Sequence, residues 1–229
     1  MNNYFIDFNI FKNFVFNEVE KSKDNYQYYI DAKKDLKEQV DIDDIMNIID
    51  NSLLKDTYLE QMKDFDINIL YKSNIHGINH NIRVCFFAFV ISSFENISIS
   101  DFKIIMEACK YHDIGRINDF EDREHGKRSS EMIIFLKDKY IEEDINCLKT
   151  IIACHSMNDS EFESIAIQNG IDDIDRCKKM YEILKDSDGL DRVRLEYPVI
   201  KVNYLRTRIA KRMILFAYNL FNNYDKLIK

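Results

Sequence analysis

Residues 100–113 read SDFKIIMEACKYHD. Phe102, Ile105, Met106 and Cys109 recur at the three- and four-residue spacing of a helix that buries one face. Asp101 lies in the first turn, where a negative charge suits the positive end of the helix dipole. Four residues past Cys109 the same stripe reaches Asp113, so a carboxylate is aimed where the apolar side chains are aimed. Three other segments repeat this pattern. Over about Asn79–Phe94, a stripe of Val84, Phe87 and Ile91 extends back to His80. Over about Asp144–His155, Ile145, Leu148 and Ile152 lead to His155. Over about Ile174–Val193, Cys177, Tyr181 and Leu184 lead to Asp188.

Composition agrees with a helical chain. Only 5 glycines and 1 proline occur among 229 residues, too few for the turns of a β protein or the loops of βα units. The class is all-α, with 46% hydrophobic residues to build one substantial core. A net charge of −8 argues against a nucleic-acid surface, though an anionic small molecule can still enter a locally basic pocket. The longest apolar run, Val84–Ile91, falls well short of the ~20 residues of a membrane span. Asp7 and Glu18 break up the early apolar residues, unlike a secretory leader. The five cysteines form no CxxC pair and suit small buried groups in a reducing cytoplasm. Cys154, beside His155, is the one cysteine whose position invites a metal-ligand reading. Homo-oligomerisation stays open.

Two regions differ in character. Residues 1–66 contain no His, Gly, Pro or Cys and read as helices Ile10–Lys23, Tyr26–Glu38 and Asp43–Phe65. They form an N-terminal extension, as a lid, a dimer surface or extra core. Residues 67–229 hold every histidine, and four of their five glycines (Gly77, Gly115, Gly126, Gly189) flank polar clusters. A last helix, about Tyr204–Tyr218, has the inner stripe Leu205, Ile209, Met213 and Phe216. Its Arg206, Arg208, Lys211 and Arg212 form a solvated face or a substrate-phosphate contact.

One inward His or Asp is ordinary: a core histidine finds a hydrogen bond and an aspartate pairs or caps. Four converging groups are costly to desolvate unless a positive charge sits among them. A divalent cation supplies that charge most simply.

In order, the chain carries His76-Gly77-Ile78-Asn79-His80, His112-Asp113-Ile114-Gly115-Arg116, His125-Gly126-Lys127-Arg128, His155, and Lys185-Asp186-Ser187-Asp188-Gly189-Leu190-Asp191-Arg192. This series resembles the HD-domain metal-dependent phosphohydrolase superfamily over roughly residues 71–220. The resemblance implies an HD-domain helical bundle with added N-terminal helices. It assigns His80, His112, Asp113 and Asp188 to one metal, with His125 and His155 as ligands of a second that Asp113 bridges. A further histidine found in one usual two-metal pattern is missing. The ion would be one or two of Mn, Fe, Mg, Co, Ni or Zn.

The implied activity is hydrolysis of a phosphomonoester or phosphodiester of a nucleotide or small phosphorylated metabolite by metal-bound hydroxide. Asp113 and His76 are the catalytic candidates. His76 shares a helix face with His80 or leans over the centre from the preceding bend, as proton donor or merely as a helix-start residue. Arg116, Lys127 and Arg128 are candidate phosphate contacts, each otherwise a surface charge. Lys185, Asp191 and Arg192 are expected to orient the ligands. The rival readings are a di-iron oxygenase on the same scaffold and a non-catalytic nucleotide-binding module.

Overall fold

The computed structural model describes residues 5–13, 39–40, 42–195, 200 and 202–228. Among these, an N-terminal layer comprises α1 (Phe8–Asn13), α2 (Ile42–Asn51) and α3 (Lys55–Lys63). The centre of the molecule is built from α4 (Ile78–Phe94), α5 (Ile99–Tyr111), α6 (His125–Met132) and α7 (Glu142–Cys154). Helices α8 (Phe162–Gln168), α9 (Ile174–Leu190), α10 (Arg208–Lys211) and α11 (Ile214–Leu227) complete it. The fold is all-α; the described residues contain no sheet, only an antiparallel bridge between Ile6 and Ile228. No described helix is long and apolar enough to cross a membrane.

Helix α4 is buried from His80 to Ser92 on every side, as an all-round apolar helix must be. It packs against α5 and α9, and α9 packs in turn against α5 and α7. One residue sets the register of these partners. Arg176, in the first turn of α9, donates to Asp101 of α5 and to Asp144 of α7, both at 2.7 Å. The N-terminal ends of α5, α7 and α9 are thereby clamped together. Asp113, His155 and Asp188 lie twelve, eleven and twelve residues beyond Asp101, Asp144 and Arg176. At 1.5 Å per helical residue, three candidate ligands are delivered to one level, about 17 Å from the clamp. Helix α4 runs the opposite way and brings His80 to that level from its first turn.

The N-terminal layer shares the core. Phe11 meets Phe86 and Phe216 edge-on at centroid distances of 5.5 and 6.0 Å, and Tyr58 stacks on Phe89 at 4.8 Å. All five thiols are buried as well.

Several boundaries differ from the periodicity. The span Asp43–Phe65 is two helices. The Ser52 hydroxyl accepts the N–H of Leu54 and pairs with the Ser93 hydroxyl at 2.7 Å, a local bond that competes with the helix and turns the chain. The single helix expected over Tyr204–Tyr218 is α10 and α11. The Asp186 carboxylate takes the N–H groups of Arg206 and Thr207, and Thr207 then caps α10. Helix α9 ends at Leu190 and tightens into a 3-10 turn over Asp191–Arg194. Of the helix expected over Ile10–Lys23, only the part within α1 is described; Tyr26–Glu38 lies outside the described residues.

The rare glycines mark close approaches. At Gly126 an added methyl would lie 2.8 Å from the carbonyl oxygens of Ile152 and Ala153, so α6 can meet α7 only without a side chain there. Gly126→Ala is expected to lower unfolding stability by about 1–3 kcal/mol through overpacking, measured as a urea midpoint shift at constant slope. An unchanged midpoint would show that the two helices are not in this contact.

Candidate metal centre

Asp113, just past the end of α5, is 3% exposed and its two oxygens face two different sets of imidazoles. Oδ2 looks toward His80 and His112, whose Nε2 atoms are 3.6 and 3.7 Å away. Asp188 closes this first group, with Oδ1 3.4 Å from His80 Nε2 and 3.9 Å from His112 Nε2. Oδ1 of Asp113 looks toward His125 and His155, whose Nε2 atoms stand at 3.0 and 3.7 Å.

The outer nitrogens fix what the inner ones can do. His112 Nδ1 donates to the Cys109 carbonyl at 3.0 Å and His155 Nδ1 to the Ile152 carbonyl at 2.6 Å. His125 Nδ1 donates to the Asp122 carbonyl, and His80 Nδ1 to the Asp191 carboxylate at 2.7 Å. A neutral imidazole has one N–H, so each of these rings turns a bare Nε2 lone pair inward. The lone pairs face each other in couples, His80 with His112 at 3.2 Å and His125 with His155 at 2.8 Å. Neutral rings in this tautomer have no proton to put between them. Nitrogens bound to one ion at about 2.1 Å stand about 3–3.5 Å apart, so the His80–His112 couple is spaced as donors to a cation, while the His125–His155 couple is slightly closer than that. Three sets of groups here can hold a metal ion, His76–His80–Asp113, His80–His112–Asp188 and His112–Asp113–His155, all buried or nearly so except the partly exposed Asp188. No cysteine joins them among the described residues. Burial pushes the Cys154 thiol up to about 12, as for an inert core group.

The electrostatics are those of a site short of positive charge. Burial, with the Arg194 charge alongside, lowers the His80 imidazole to about 4, against the pull of Asp191. Burial likewise lowers His155 to about 4. Burial disfavours the Asp113 charge, but once the rings carry protons His112 and then His125, His155 and His76 hold the carboxyl well below its usual range. Burial opposes the Asp188 charge too, and protonated His80 and His112 together with Arg194 overcome it.

His76 lies in the bend before α4, where the Ser73 hydroxyl accepts the N–H groups of Ile75 and His76. Its Nδ1 is 3.0 Å from Asp113 Oδ2 and 3.1 Å from Arg194 Nη2. Of the three cations expected at phosphate, Arg116 reaches the centre, its Nε 2.9 Å from Asp113 Oδ1. Arg128 instead holds the Gly115 carbonyl and the Asp122 carboxylate, bracing the loop that carries the His125 anchor. Lys127 is exposed and lines a separate groove with Asn146 and Lys149. Asp191 orients His80 and is held by Arg83 at 2.6 and 3.0 Å. Lys185 and Arg192 do not orient Asp188. Lys185 donates to the Met157 carbonyl and to Asp159, and Arg192 is exposed at a cavity edge.

No family model, curated protein or solved structure matches this chain. The site therefore rests on its own geometry. That geometry adds two residues the sequence reading lacked. Arg83 follows His80 by three residues, one helical turn, a spacing that could have signalled it. Arg194 comes to His76 from across the fold, and nothing local announces it.

Asp113→Asn is expected to abolish metal binding; if His125 and His155 serve a second ion, His125→Ala or His155→Ala should each remove about one metal equivalent and keep the helical signal. Elemental analysis decides this, and full stoichiometry in the Asp113 variant would refute the shared carboxylate. A second expectation concerns acid. His80 and His155 titrate near 4 when folded and near ~6.5 when unfolded, so the unfolded chain binds more protons between those values. The stability they contribute is complete above about pH 6.5 and is lost as pH falls toward 4; depressed Asp113 and Asp188 extend the loss below that. Urea midpoints of chelator-treated protein should fall across this window, and a flat or opposite trend would contradict the buried neutral rings.

Proposed function

We propose that the chain is a divalent-metal-dependent phosphohydrolase acting on a small phosphorylated metabolite or nucleotide. The observation that carries this reading is the division of Asp113 between two imidazole couples whose bare nitrogens face inward. The ordered His, His-Asp, His, His and Asp resemblance to HD-domain phosphohydrolases supports it independently of the packing. An ion bound by these groups supplies Lewis-acid polarisation of a phosphoryl oxygen and a water acidified toward neutral pH.

The chain's own residues supply the rest. His80, His112 and Asp188 hold one side of the site; His125 and His155 hold the other. Asp191 keeps the His80 proton on Nδ1, so Nε2 stays free to ligate. Arg116, beside Asp113, and Arg194, beside His76, offer guanidinium donors to phosphoryl oxygens near the shared carboxylate. His76 Nδ1 sits in hydrogen-bond reach of Asp113 Oδ2, and a proton carried by this ring can pass to a leaving oxygen.

The test is elemental analysis of protein purified without chelator, followed by phosphate release from a panel of nucleotides and phosphodiesters. Metal-dependent release supports the proposal. Two irons with oxygen consumption and no release would replace it with an oxygenase, and binding without turnover would leave a sensing module. His76→Ala should retain its metals and lose about 10²- to 10⁴-fold in kcat on unactivated esters, with a smaller loss on p-nitrophenyl phosphate. Wild-type turnover on an unactivated ester would remove His76 from the catalytic set.

A further inference from the structure

Beside the centre a cavity of about 600 Å³ opens onto Asp188 and His155. Lys185, Asp188 and Arg192 succeed one another at intervals of three and four residues, so one side of α9 and the turn after it faces this space. Ile200, Tyr204 and Leu205 form an apolar and aromatic wall. The charges along the cavity are almost all answered. Asp188 faces His80 and His112. Asp159 accepts from Lys185 at 2.8 Å and from Arg206 Nε and Nη2 at 2.9 and 2.7 Å. Arg206 is pinned further by Asp186.

Arg192 is the exception. It is exposed at the cavity and its side chain makes no hydrogen bond or ion pair among the described residues. An aspartate four residues before an arginine ordinarily pairs with it, but here Asp188 is turned to the imidazoles and Arg192 is left facing the space. Its backbone is also held firmly, because the preceding residue is the fully buried Asp191.

We propose that Arg192 binds a second anionic group of the substrate. On the phosphohydrolase reading, from which this inference follows, the preferred substrates are organophosphates carrying two anionic groups. The phosphoryl group to be cleaved lies at the centre. The other, a phosphate or carboxylate, meets the planar fork of Arg192, and the organic part rests on Tyr204, Ile200 and Leu205. A simple monoester fills the centre and leaves Arg192 without a partner.

Binding of non-hydrolysable probes to Mn²⁺-loaded protein tests this without turnover. Methylphosphonate carries one anionic group; phosphonoacetate, 3-phosphonopropionate and 4-phosphonobutyrate add a carboxylate at increasing distance. At least one of the three should bind about tenfold or more tightly than methylphosphonate. Arg192→Gln should erase that advantage and leave methylphosphonate affinity unchanged. Lys127→Gln, which removes the same charge from a separate groove, should change neither. No gain for any carboxylate probe, or a gain that survives in Arg192→Gln, overturns the role of Arg192 while methylphosphonate binding still supports the phosphoryl site. Failure of every phosphonate to bind would overturn both readings together.

Discussion

Bare imidazole nitrogens turned toward one carboxylate are the constraint around which this molecule is organised. Each outer nitrogen is committed to a carbonyl or to Asp191, and each inner one faces another lone pair or an oxygen of Asp113. In water such groups would take up protons and separate. Buried, with two of the rings held near a pKa of 4, they form a concentration of electron pairs that a cation relieves. The energetic problem and the capacity to hold a cation are the same arrangement seen from two sides.

Holding such groups together requires a frame that does not yield. The Arg176 clamp fixes three helices at their starts, and nearly equal residue spacings from it bring Asp113, His155 and Asp188 to a common level. His125 arrives by backbone proximity. Helix α6 lies against α7 where Gly126 offers no side chain, and a methyl at Gly115 would come within 2.4 Å of the Ser129 nitrogen. Close approach substitutes here for the length of a side chain, which is why His125 at the start of a short helix can touch Asp113.

The sequence showed much of this and concealed the rest for definite reasons. Helical period alone aimed His80, Asp113, His155 and Asp188 inward, because each continues an apolar stripe. His125 continues none: it follows a polar loop, and only the adjoining glycine and the family-like string drew attention to it. In the acidic loop before it, the Asp122 carboxylate holds Arg128 while its backbone carbonyl anchors the His125 ring. Arg128, by the same contact, is a brace rather than an anion contact. Lys185 and Arg192 bracket Asp188 in sequence, but periodicity reports only which side of a helix a residue occupies. It could not say that Lys185 would be claimed by Asp159 or that Arg192 would be left unpaired. The break at Ser52 was hidden because apolar spacing continues through it, while the bond that turns the chain reaches across to Ser93.

One contact outside the centre reaches into it. The Arg83 guanidinium lies over the rings of Phe221 and Tyr224 on α11, at 5.1 and 4.9 Å, while its nitrogens grip Asp191 and Asp191 grips His80. The basicity of an inward-facing nitrogen is thus set at the end of a relay that begins in an aromatic contact on the last helix. Substitutions at Phe221 or Tyr224 touch none of the candidate ligands and still alter how firmly Asp191 polarises the His80 ring. The electron density on the inward His80 nitrogen can therefore be altered from a helix that contributes no group to the cluster.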